Sequence, residues 1–422
     1  MKKISLLLVL VFSFLGYSED FFNWFKENKE TCWDLQLQDF NKQFSNSFNW
    51  TSNLKKQIST KPAAKQSFHV FGYDITQVLV DYKDGKITSV TFYIFNKGDS
   101  KKWNFQRLKK ALDTLTKLFT QETGSKAIQN TFQLGSNKVT GLIWHGKQSF
   151  DITLKYATGK KKAPEFLTVE IFPLGKAPNR LKNEFQVKKV KSTNTDFTKN
   201  VKKESDGSVY INIPMVDQGD KGYCVAAVLS RILSYYGSDI DQHVIAQMAK
   251  TDATTGTSFE DTERLLRSAK TKLRFDYKNL YKEDNFISDR SYRKMIRSYN
   301  KVASRKKKKK ISTSNIPRKN FPALDYSVYK EVRGKARMGS FMRGWVEPYI
   351  NKGIPICWSV MIFPKDATNG KVKGHMRIIN GYNKKTNEII YTDSWGSGHE
   401  KKSMSIEKAW TETLRLFVVT AR

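Results

Sequence analysis

The sequence has 422 residues, with 74 lysines and arginines against 40 aspartates and glutamates, which is a formal net charge of +34. This length favours two or three domains, each large enough to bury a core. Hydrophobic residues make up 39% of the chain and aromatic residues 13%, which excludes general disorder, and 24 glycines with 10 prolines exclude a collagen-like protein. Three cysteines are too few for a disulfide-stapled scaffold.

The first 18 residues have the pattern of a secretory signal peptide. Lys2 and Lys3 precede an apolar run over residues 4–15, and the small residues Gly16 and Ser18 follow it. The run is shorter than the roughly 20 residues that span a bilayer. We therefore expect a secreted or periplasmic protein from which residues 1–18 are removed.

The N-terminal half predicts a small α+β domain. We interpret residues 19–60 as an aromatic-rich helical segment and a connector, and residues 61–175 as the domain itself. Alternating apolar runs there predict strands on both sides of a helix over residues 103–119. His69 and His145 are interpreted as structural residues, and no role for this domain follows from its sequence. The polar residues 176–207 are interpreted as a linker.

A basic stretch interrupts the C-terminal half. Arg290 to Leu324 contains thirteen basic residues and no acidic one, and Lys306 to Lys310 are consecutive. Such a block repels itself, and we interpret it as an insertion that forms a solvated, mobile loop. Its charge makes an anionic polymer or surface a possible partner, but no nucleic-acid-binding module is recognisable.

The first chemical signal is a cysteine at the start of a helix. Gln218-Gly219 leads through a glycine-containing loop to Cys224, and an apolar helix follows and ends near Gly237. A helix N-terminus favours negative charge and therefore the thiolate, which is the nucleophilic form of cysteine. Taken alone, Cys224 is equally consistent with a buried structural thiol.

A histidine and an aspartate follow on two neighbouring strands. His375 lies just before a strand over residues 377–381, and Asp393 comes just after a strand over residues 388–392. An antiparallel hairpin brings these two ends together. The imidazole would then have a carboxylate partner that holds its tautomer, as nucleophilic catalysis requires. Trp395 is expected to cover the pair and to keep water from it.

These residues resemble the papain-like cysteine peptidases, and most closely their C39-like bacterial branch, over residues 208–422. The resemblance rests on four segments in the family's order: Gln218 to Cys224, the helix over residues 259–269 after Thr257-Ser258, the strand around His375, and Thr392-Asp393-Ser394-Trp395. It implies that Cys224, His375 and Asp393 are catalytic. It also implies that the Gln218 amide and the Cys224 backbone N–H form the oxyanion hole.

The predicted fold is therefore α+β: a papain-like domain, with its nucleophile helix packed on an antiparallel sheet, follows the small N-terminal domain. The predicted function is peptide-bond cleavage through an acyl-enzyme, without a metal or another cofactor. Two alternatives stay open, namely an inactive peptidase-like protein that binds polyanions and an acyltransferase with the same triad. The substrate sequence, the oligomeric state and an inhibitory or substrate-binding role for the N-terminal region cannot be read from the sequence.

The remaining cysteines and histidines carry weaker expectations. Cys32 and Cys357 either form a disulfide in an oxidising compartment or remain free, with Cys357 acting as a small buried hydrophobic residue. His243, on a helix, and His399, in a polar turn, are expected at the surface.

Overall fold

The structure is a computed structural model, and it describes 17 segments of the chain: residues 20–44, 48–50, 57–60, 68–75, 77–98, 103–134, 137–181, 196–219, 222–238, 240–253, 256–271, 275–286, 288–312, 324–334, 338–363, 372–396 and 398–421. The predicted signal peptide, residues 1–18, and part of the predicted linker, residues 182–195, lie outside the described residues.

The N-terminal half consists of three helices and ten strands among the described residues. The helices are α1 (Phe21–Glu27), α2 (Leu37–Gln43) and α3 (Phe105–Thr123). The strands are β1 (Phe48–Trp50), β2 (Gln57–Thr60), β3 (Phe68–Val70), β4 (Tyr73–Ile75), β5 (Gln77–Lys83), β6 (Lys86–Asn96), β7 (Ile128–Leu134), β8 (Asn137–Trp144), β9 (Phe150–Thr158) and β10 (Pro164–Pro173). Eight of the strands form one antiparallel sheet with the order β1-β2-β5-β6-β10-β9-β8-β7. The other two, β3 and β4, form a separate hairpin.

Helix α3 and the aromatic helix α1 cover this sheet with apolar side chains. The side chain of Asn104 caps α3, and its apolar residues recur every three or four positions, which places them on one face. The buried residues of α1 and α3 share one core with the strands: Phe21, Phe22, Trp24 and Phe25 from α1, and Leu108, Ala111, Leu115 and Phe119 from α3. The helix and most of the strands predicted for this half are thus present.

The C-terminal half combines a second antiparallel sheet with helices. The strands are β11 (Val201–Lys203), β12 (Ser208–Ile211), β13 (Phe275–Lys282), β14 (Ile356–Ile362), β15 (Lys373–Asn383), β16 (Glu388–Thr392), β17 (Lys402–Ser405) and β18 (Thr413–Ala421). Their order in the sheet is β11-β12-β15-β14-β18-β13, and β16 pairs with β15 and β17. The helices are α4 (Cys224–Tyr235), α5 (Gln242–Ala249), α6 (Phe259–Ala269), α7 (Asp289–Arg305), α8 (Tyr326–Arg333), α9 (Met338–Ser340), α10 (Glu347–Ile350) and α11 (Ile406–Glu412).

Helix α4 is the central helix of this half, and nine of its residues, Val225 to Leu233, are buried. It packs against α5 and β15, and its apolar residues belong to one core with β14, β15 and β18. The predicted arrangement, a nucleophile helix on an antiparallel sheet, is confirmed. No helix of the described residues is long and apolar enough to cross a membrane.

The first half of the basic stretch differs from its prediction as a loop, whereas Lys306 to Lys310 follow the helix as exposed, non-helical residues and residues 313–323 lie outside the described residues. Residues Asp289–Arg305 form helix α7, which begins at a capping box of Ser288 and Ser291. Between the basic residues, Tyr292, Met295, Ile296, Tyr299 and Ala303 are buried on one face of α7 against α8. This apolar spacing provides the packing that stabilises the helix, so the charge density alone was a misleading signal.

The predicted linker and connector also contain strands. Residues 201–203 form β11 and pair with β12, so they extend the C-terminal sheet. Residues 57–60 of the predicted connector form β2 between β1 and β5. Both strands are short and polar in sequence, and backbone pairing with a neighbouring strand stabilises them.

Cys32 and Cys357 are free, so the disulfide alternative is not realised. The physical reason is their location. Cys32 is buried in the core of the N-terminal half, whereas Cys357 on β14 is buried in the core of the C-terminal half.

Candidate active site

Cys224 is the first residue of helix α4 and the accessible thiol of the chain. It is half-buried, whereas the side chains of Cys32 and Cys357 are fully buried. Burial raises the pKa of Cys32 to about 12 and that of Cys357 even further, so both stay protonated thiols at neutral pH. Position and exposure therefore make Cys224 the cysteine that can react with a substrate.

His375 and Asp393 meet through the hairpin of β15 and β16. The strands are antiparallel, with Ile378 opposite Thr392, and this register carries the side chain of His375 to the end of β16. His375 Nε2 lies 2.6 Å from Asp393 Oδ1, and both side chains are buried. One detail differs from the sequence prediction: His375 lies inside β15, opposite Val360 of β14, and not before the strand.

The surroundings of His375 favour its protonated form. Burial by itself lowers the pKa of the imidazole, but hydrogen bonds with Asp393 and with the Cys224 thiol outweigh burial and raise the pKa to about 9. Since Nε2 faces Asp393, the other ring nitrogen, Nδ1, is left for the thiol. The arrangement therefore favours an imidazolium between a carboxylate and a sulfur atom at neutral pH.

Trp395 stacks on the imidazole. The two ring centroids are 4.7 Å apart, and the planes differ by 19°. The indole therefore covers His375, although 42% of Trp395 is exposed to solvent. His399 is not a plain surface residue as expected, since its ring packs edge-on against Trp395 and its carbonyl accepts the backbone N–H of Asp393 at 3.0 Å.

Gln218 belongs to a loop that is tied to the strand end after Asp393. Its side chain is buried, and its backbone N–H donates to the carbonyl of Ser394 at 2.8 Å. The preceding residue, Asp217, accepts a hydrogen bond through its carbonyl from Gln242 of α5. The structure thus brings the Gln218 loop, the start of α4 and the end of β16 to one place, although they are far apart in sequence.

Arg377 is a site residue that the sequence did not reveal. Its Nε donates to Asp393 Oδ2 at 2.7 Å, and its guanidinium lies over the ring of Tyr391 at 4.8 Å. Burial raises the pKa of Asp393, but His375 and Arg377 reverse this and hold it below its usual range. A basic residue two positions after the histidine, on the same strand face, is the one signal that would have pointed to it.

Arg231 is a second residue that the sequence did not reveal. It is fully buried on α4, seven residues and therefore two turns after Cys224. Its guanidinium donates to the carbonyls of Pro214 at 2.8 Å and Asp393 at 2.7 Å, and it also bonds to Thr392 and Ser394. Burial lowers its pKa only to about 10, so it remains cationic at neutral pH. Arg231 joins the helix of the candidate nucleophile to the strand end of the candidate acid.

His243 is buried, contrary to the expectation of a surface position. It lies on α5 with its Nδ1 2.8 Å from Asp241 Oδ1, and it stacks on Tyr93 of the N-terminal half. The sequence suggested exposure because Gln242 and His243 are polar, but the neighbouring domain covers this side of α5. His69 lies next to Asp74 and His145 next to Asp151, with Nδ1-to-carboxylate distances of 2.7 Å and 3.5 Å, and both histidines are outside the candidate site.

The described residues contain no group of three or more histidine, cysteine, aspartate or glutamate side chains that could hold a metal ion. The groups at the site itself are a thiol, an imidazole, a carboxylate, two guanidinium groups and an amide. Together they can supply a nucleophile, a proton carrier with a fixed orientation, and hydrogen-bond donors for a developing oxyanion.

Two family models match the C-terminal half of the chain. The Peptidase C39 family matches residues 212–311, which include Gln218 and Cys224. The Peptidase_C39 like family matches residues 319–416, which include His375 and Asp393.

Among solved structures, this chain is similar to Xylellain, a cysteine protease from Xylella fastidiosa. The sequence identity is 11%, the match covers 54% of this chain and 88% of that chain, and the TM-score is 0.26. No curated protein matches the chain.

Proposed function

We propose that this chain, whose C-terminal half is a C39-like domain of the papain-like cysteine peptidases, cleaves peptide bonds with a triad of Cys224, His375 and Asp393. One observation carries the proposal: the buried pair of His375 and Asp393, 2.6 Å apart, interacts with the thiol at the start of α4. No other accessible thiol competes with Cys224, because the remaining two are buried.

The proposed reaction begins from a thiolate and an imidazolium. The pKa of His375, about 9, keeps the imidazole protonated at neutral pH. The thiolate sulfur attacks the carbonyl carbon of the substrate, and His375 then gives its proton to the amide nitrogen that leaves as an amine. The product is a thioester between Cys224 and the acyl half of the substrate.

Water completes the proposed cycle. His375, now neutral, accepts a proton from water, whose oxygen attacks the thioester and releases the carboxylic acid and the Cys224 thiolate. This restores the thiolate and the imidazolium with which the cycle began. In both steps the Gln218 side-chain amide and the Cys224 backbone N–H stabilise the oxyanion. Asp393 holds the imidazole by its Nε2, and Trp395 shields their hydrogen bond from solvent.

A cysteine series tests the nucleophile. We expect Cys224→Ala to lower the cleavage of a broad peptide library by more than about 1,000-fold, because the acyl-enzyme cannot form. Cys32→Ala and Cys357→Ala are matched controls, since each removes a free thiol outside the site and should keep turnover in folded protein. Full activity of Cys224→Ala would disprove the assignment.

We propose hydrolysis rather than acyl transfer to an amine. Both reactions would proceed through the same acyl-enzyme. Incubation with a peptide substrate and a small primary amine separates them by mass spectrometry. A free carboxylic acid as the main product supports the peptidase. A dominant amide product would identify an acyltransferase, and failure of iodoacetamide to label Cys224 would favour the inactive binding protein.

We also propose that the protein is exported, because residues 1–18 have the charged, apolar and small-residue order of a signal peptide. Expression of the full chain, cell fractionation and N-terminal sequencing test this. The expected product is extracytoplasmic and begins at Glu19. A cytoplasmic product that still carries Lys2 and Lys3 would contradict it.

An exposed basic surface supports a second function, the binding of an anionic polymer. We define the basic surface as Lys306 to Lys310 together with the exposed basic face of α7: Arg290, Arg293, Lys294, Arg297, Lys301 and Arg305. Among the described residues, only Arg305, Lys306 and Lys308 of this set form ion pairs, with Glu331 and Asp325. The other basic side chains of this surface are exposed and form no ion pair with a described residue, so they can attract an anionic chain.

Replacement of Lys306 to Lys310 by glutamine tests the basic surface. We expect unchanged peptide turnover and weaker binding to an anionic polymer, with the difference shrinking as salt screens the charges. The charge-matched control replaces five exposed lysines of the N-terminal half: Lys109, Lys110, Lys117, Lys138 and Lys147. Equal loss of binding in both variants would mean that only net charge matters and would refute a specific surface.

A further inference from the structure

The two halves of the chain share one continuous apolar contact. The core of the C-terminal half contains four side chains from the N-terminal sheet, Leu134, Val139, Ala157 and Phe166. Domains that only touch through a polar, hydrated surface move relative to each other by default. An interface that is continuous with a core instead holds the N-terminal sheet in one position on the peptidase domain.

Polar contacts concentrate at one place on this interface, helix α5 and the turn that follows it. Tyr93 Oη of β6 donates to Asp241 Oδ1 at 3.2 Å. Asn137 Nδ2 of β8 donates to the carbonyl of Gln247 at 2.8 Å. The carbonyl of Lys97 accepts the backbone N–H of Ala253 at 3.1 Å. All three contacts thus tie the N-terminal sheet to α5 and its turn.

Helix α5 contacts both sides of the candidate oxyanion hole. Its Gln242 side chain donates to the carbonyl of Asp217, the residue before Gln218. Its His243 ring packs edge-on against Tyr223, the residue before Cys224, with centroids 5.1 Å apart. The other face of His243 stacks on Tyr93, with centroids 4.2 Å apart and planes inclined by 26°. Tyr93, His243 and Tyr223 therefore form a row of rings from the N-terminal sheet to the nucleophile.

The start of α4 depends on this packing. Its N-cap residue, Tyr223, makes no side-chain capping bond, unlike the asparagine, aspartate or serine caps of α3, α5 and α6. The fully buried Tyr223 ring instead touches Gly98 of the N-terminal half so closely that a Cβ on Gly98 would lie 2.1 Å from it.

We infer that the N-terminal domain positions the nucleophile, with Tyr93 acting through His243 and Tyr223 to fix the first turn of α4 and the orientation of the Cys224 thiol toward His375. This inference rests on the proposed function for its effect on catalysis, but the geometry of the thiol can be tested separately. The N-terminal domain then completes the active site, and it is a positioning element for the reaction.

Substitutions at Tyr93 test the inference in the full chain. Tyr93→Ala removes the ring between the sheet and His243, and we expect kcat to fall by about 10- to 100-fold with little change in KM, because a misplacement of about 1 Å at the reacting atoms has effects of this size. Tyr93→Phe loses the hydrogen bond to Asp241 and keeps the stack on His243, so kcat should stay within about threefold of the wild type.

A neighbouring residue on the same strand provides the matched control. Phe92 is buried in the core of the N-terminal half and not at the interface. Phe92→Ala therefore destabilises the N-terminal domain without touching α5, and it should keep kcat at temperatures where circular dichroism shows folded protein. If Tyr93→Ala fails to fold, Gly98→Ala, which displaces Tyr223 directly, takes its place with the same expectation.

The rate of Cys224 alkylation by iodoacetamide, measured across pH, provides a readout that needs no substrate. We expect Tyr93→Ala to change this rate by about 10-fold or more, whereas Phe92→Ala leaves it unchanged. Wild-type kcat and alkylation in folded Tyr93→Ala, or an equal loss in Phe92→Ala, would overturn the inference. If the wild type cleaves no peptide but its alkylation still depends on Tyr93, the proposed function fails and the positioning role stands.

Discussion

Asp393 holds its place at the candidate site through three hydrogen bonds, which occupy both of its carboxylate oxygens. Oδ1 faces His375 and also accepts the backbone N–H of Ser394, while Oδ2 accepts Nε of Arg377. An asparagine at this position would keep one acceptor but would turn an N–H donor toward one of these donors. The aspartate is therefore the better partner for this particular site.

Substitution of Asp393 should separate orientation from charge. We expect Asp393→Ala to lower kcat/KM by about 100-fold, since the imidazole loses its partner, and Asp393→Asn by about 10-fold, since an acceptor for His375 remains. Steady-state kinetics on one peptide substrate measures both. Equal losses would show that charge outweighs orientation, and full activity of both variants would remove Asp393 from the site.

The pH dependence of the reaction should report on His375. Its pKa is raised from 6.5 to about 9. The stability gained from the protonated form is therefore fully present below pH 6.5 and is lost as pH rises through about 9. We expect kcat/KM to fall on the alkaline side near pH 9 for the same reason, because the imidazolium loses its proton.

The Asp393→Ala variant controls this assignment. Burial lowers the pKa of His375, and the Asp393 carboxylate raises it. Without the carboxylate, the pKa of His375 should fall, so the alkaline decrease of kcat/KM should move to lower pH. A limb that stays in place would mean that another group produces it.

At the scale of elements, the site depends on a hairpin and a helix that approach from different parts of the chain. Strands β15 and β16 bring His375 to Asp393, and α4 brings Cys224. Arg231 connects the two, because its buried guanidinium bonds to the carbonyls of Pro214 and Asp393. Its loss would leave several buried acceptors without donors.

Arg231→Met should therefore destabilise the fold and the site together. We expect the free energy of unfolding to fall by about 3 kcal/mol, the cost of leaving buried polar groups unsatisfied, and kcat to fall in the protein that remains folded. Arg267→Met on α6 is the matched control, because this arginine is 71% exposed and should change stability by less than about 0.5 kcal/mol. Urea unfolding of both variants measures these changes. If Arg231→Met were as stable as Arg267→Met, the role of Arg231 would be contradicted.

At the scale of the whole molecule, the N-terminal sheet contributes side chains to both cores. Leu134, Val139 and Phe166 of the N-terminal sheet are buried in the core of the C-terminal half. Each such side chain contributes about 1.5–3 kcal/mol when it is removed from water. Without the N-terminal domain, the facing surface of α4 and α5 would be exposed to solvent.

A fragment of residues 196–422 should show this dependence. We expect it to bind a hydrophobic dye, to melt at a lower temperature than the full chain and to cleave peptides poorly. Phe166→Ala in the full chain is a milder test of the same contact, and its control is Phe119→Ala, which opens a cavity in the other core. A stable fragment with full-length activity would contradict both this prediction and the positioning role of Tyr93.

The sequence alone was sufficient to predict those helices and strands that are specified by residues close together in the chain. Helix α6 has the predicted bounds, Phe259–Ala269, because a serine cap and an apolar repeat specify it within a dozen residues. The start of α4 at Cys224 and the strands beside His375 and Asp393 followed from similar patterns, and so did the family resemblance. The same local patterns misled where charge masked an apolar face, as in α7.

Only the tertiary structure revealed what depends on contacts between distant residues. Arg377 and Arg231 are single basic residues in apolar segments, and apart from the spacing of Arg377 two residues after His375, nothing nearby in sequence shows that they bond to Asp393. His243 is polar and lies on a short helix, and its burial follows from Tyr93, 150 positions earlier. Patterns within one element determine which face is apolar, but the partner that covers a polar side chain is chosen by how the elements pack.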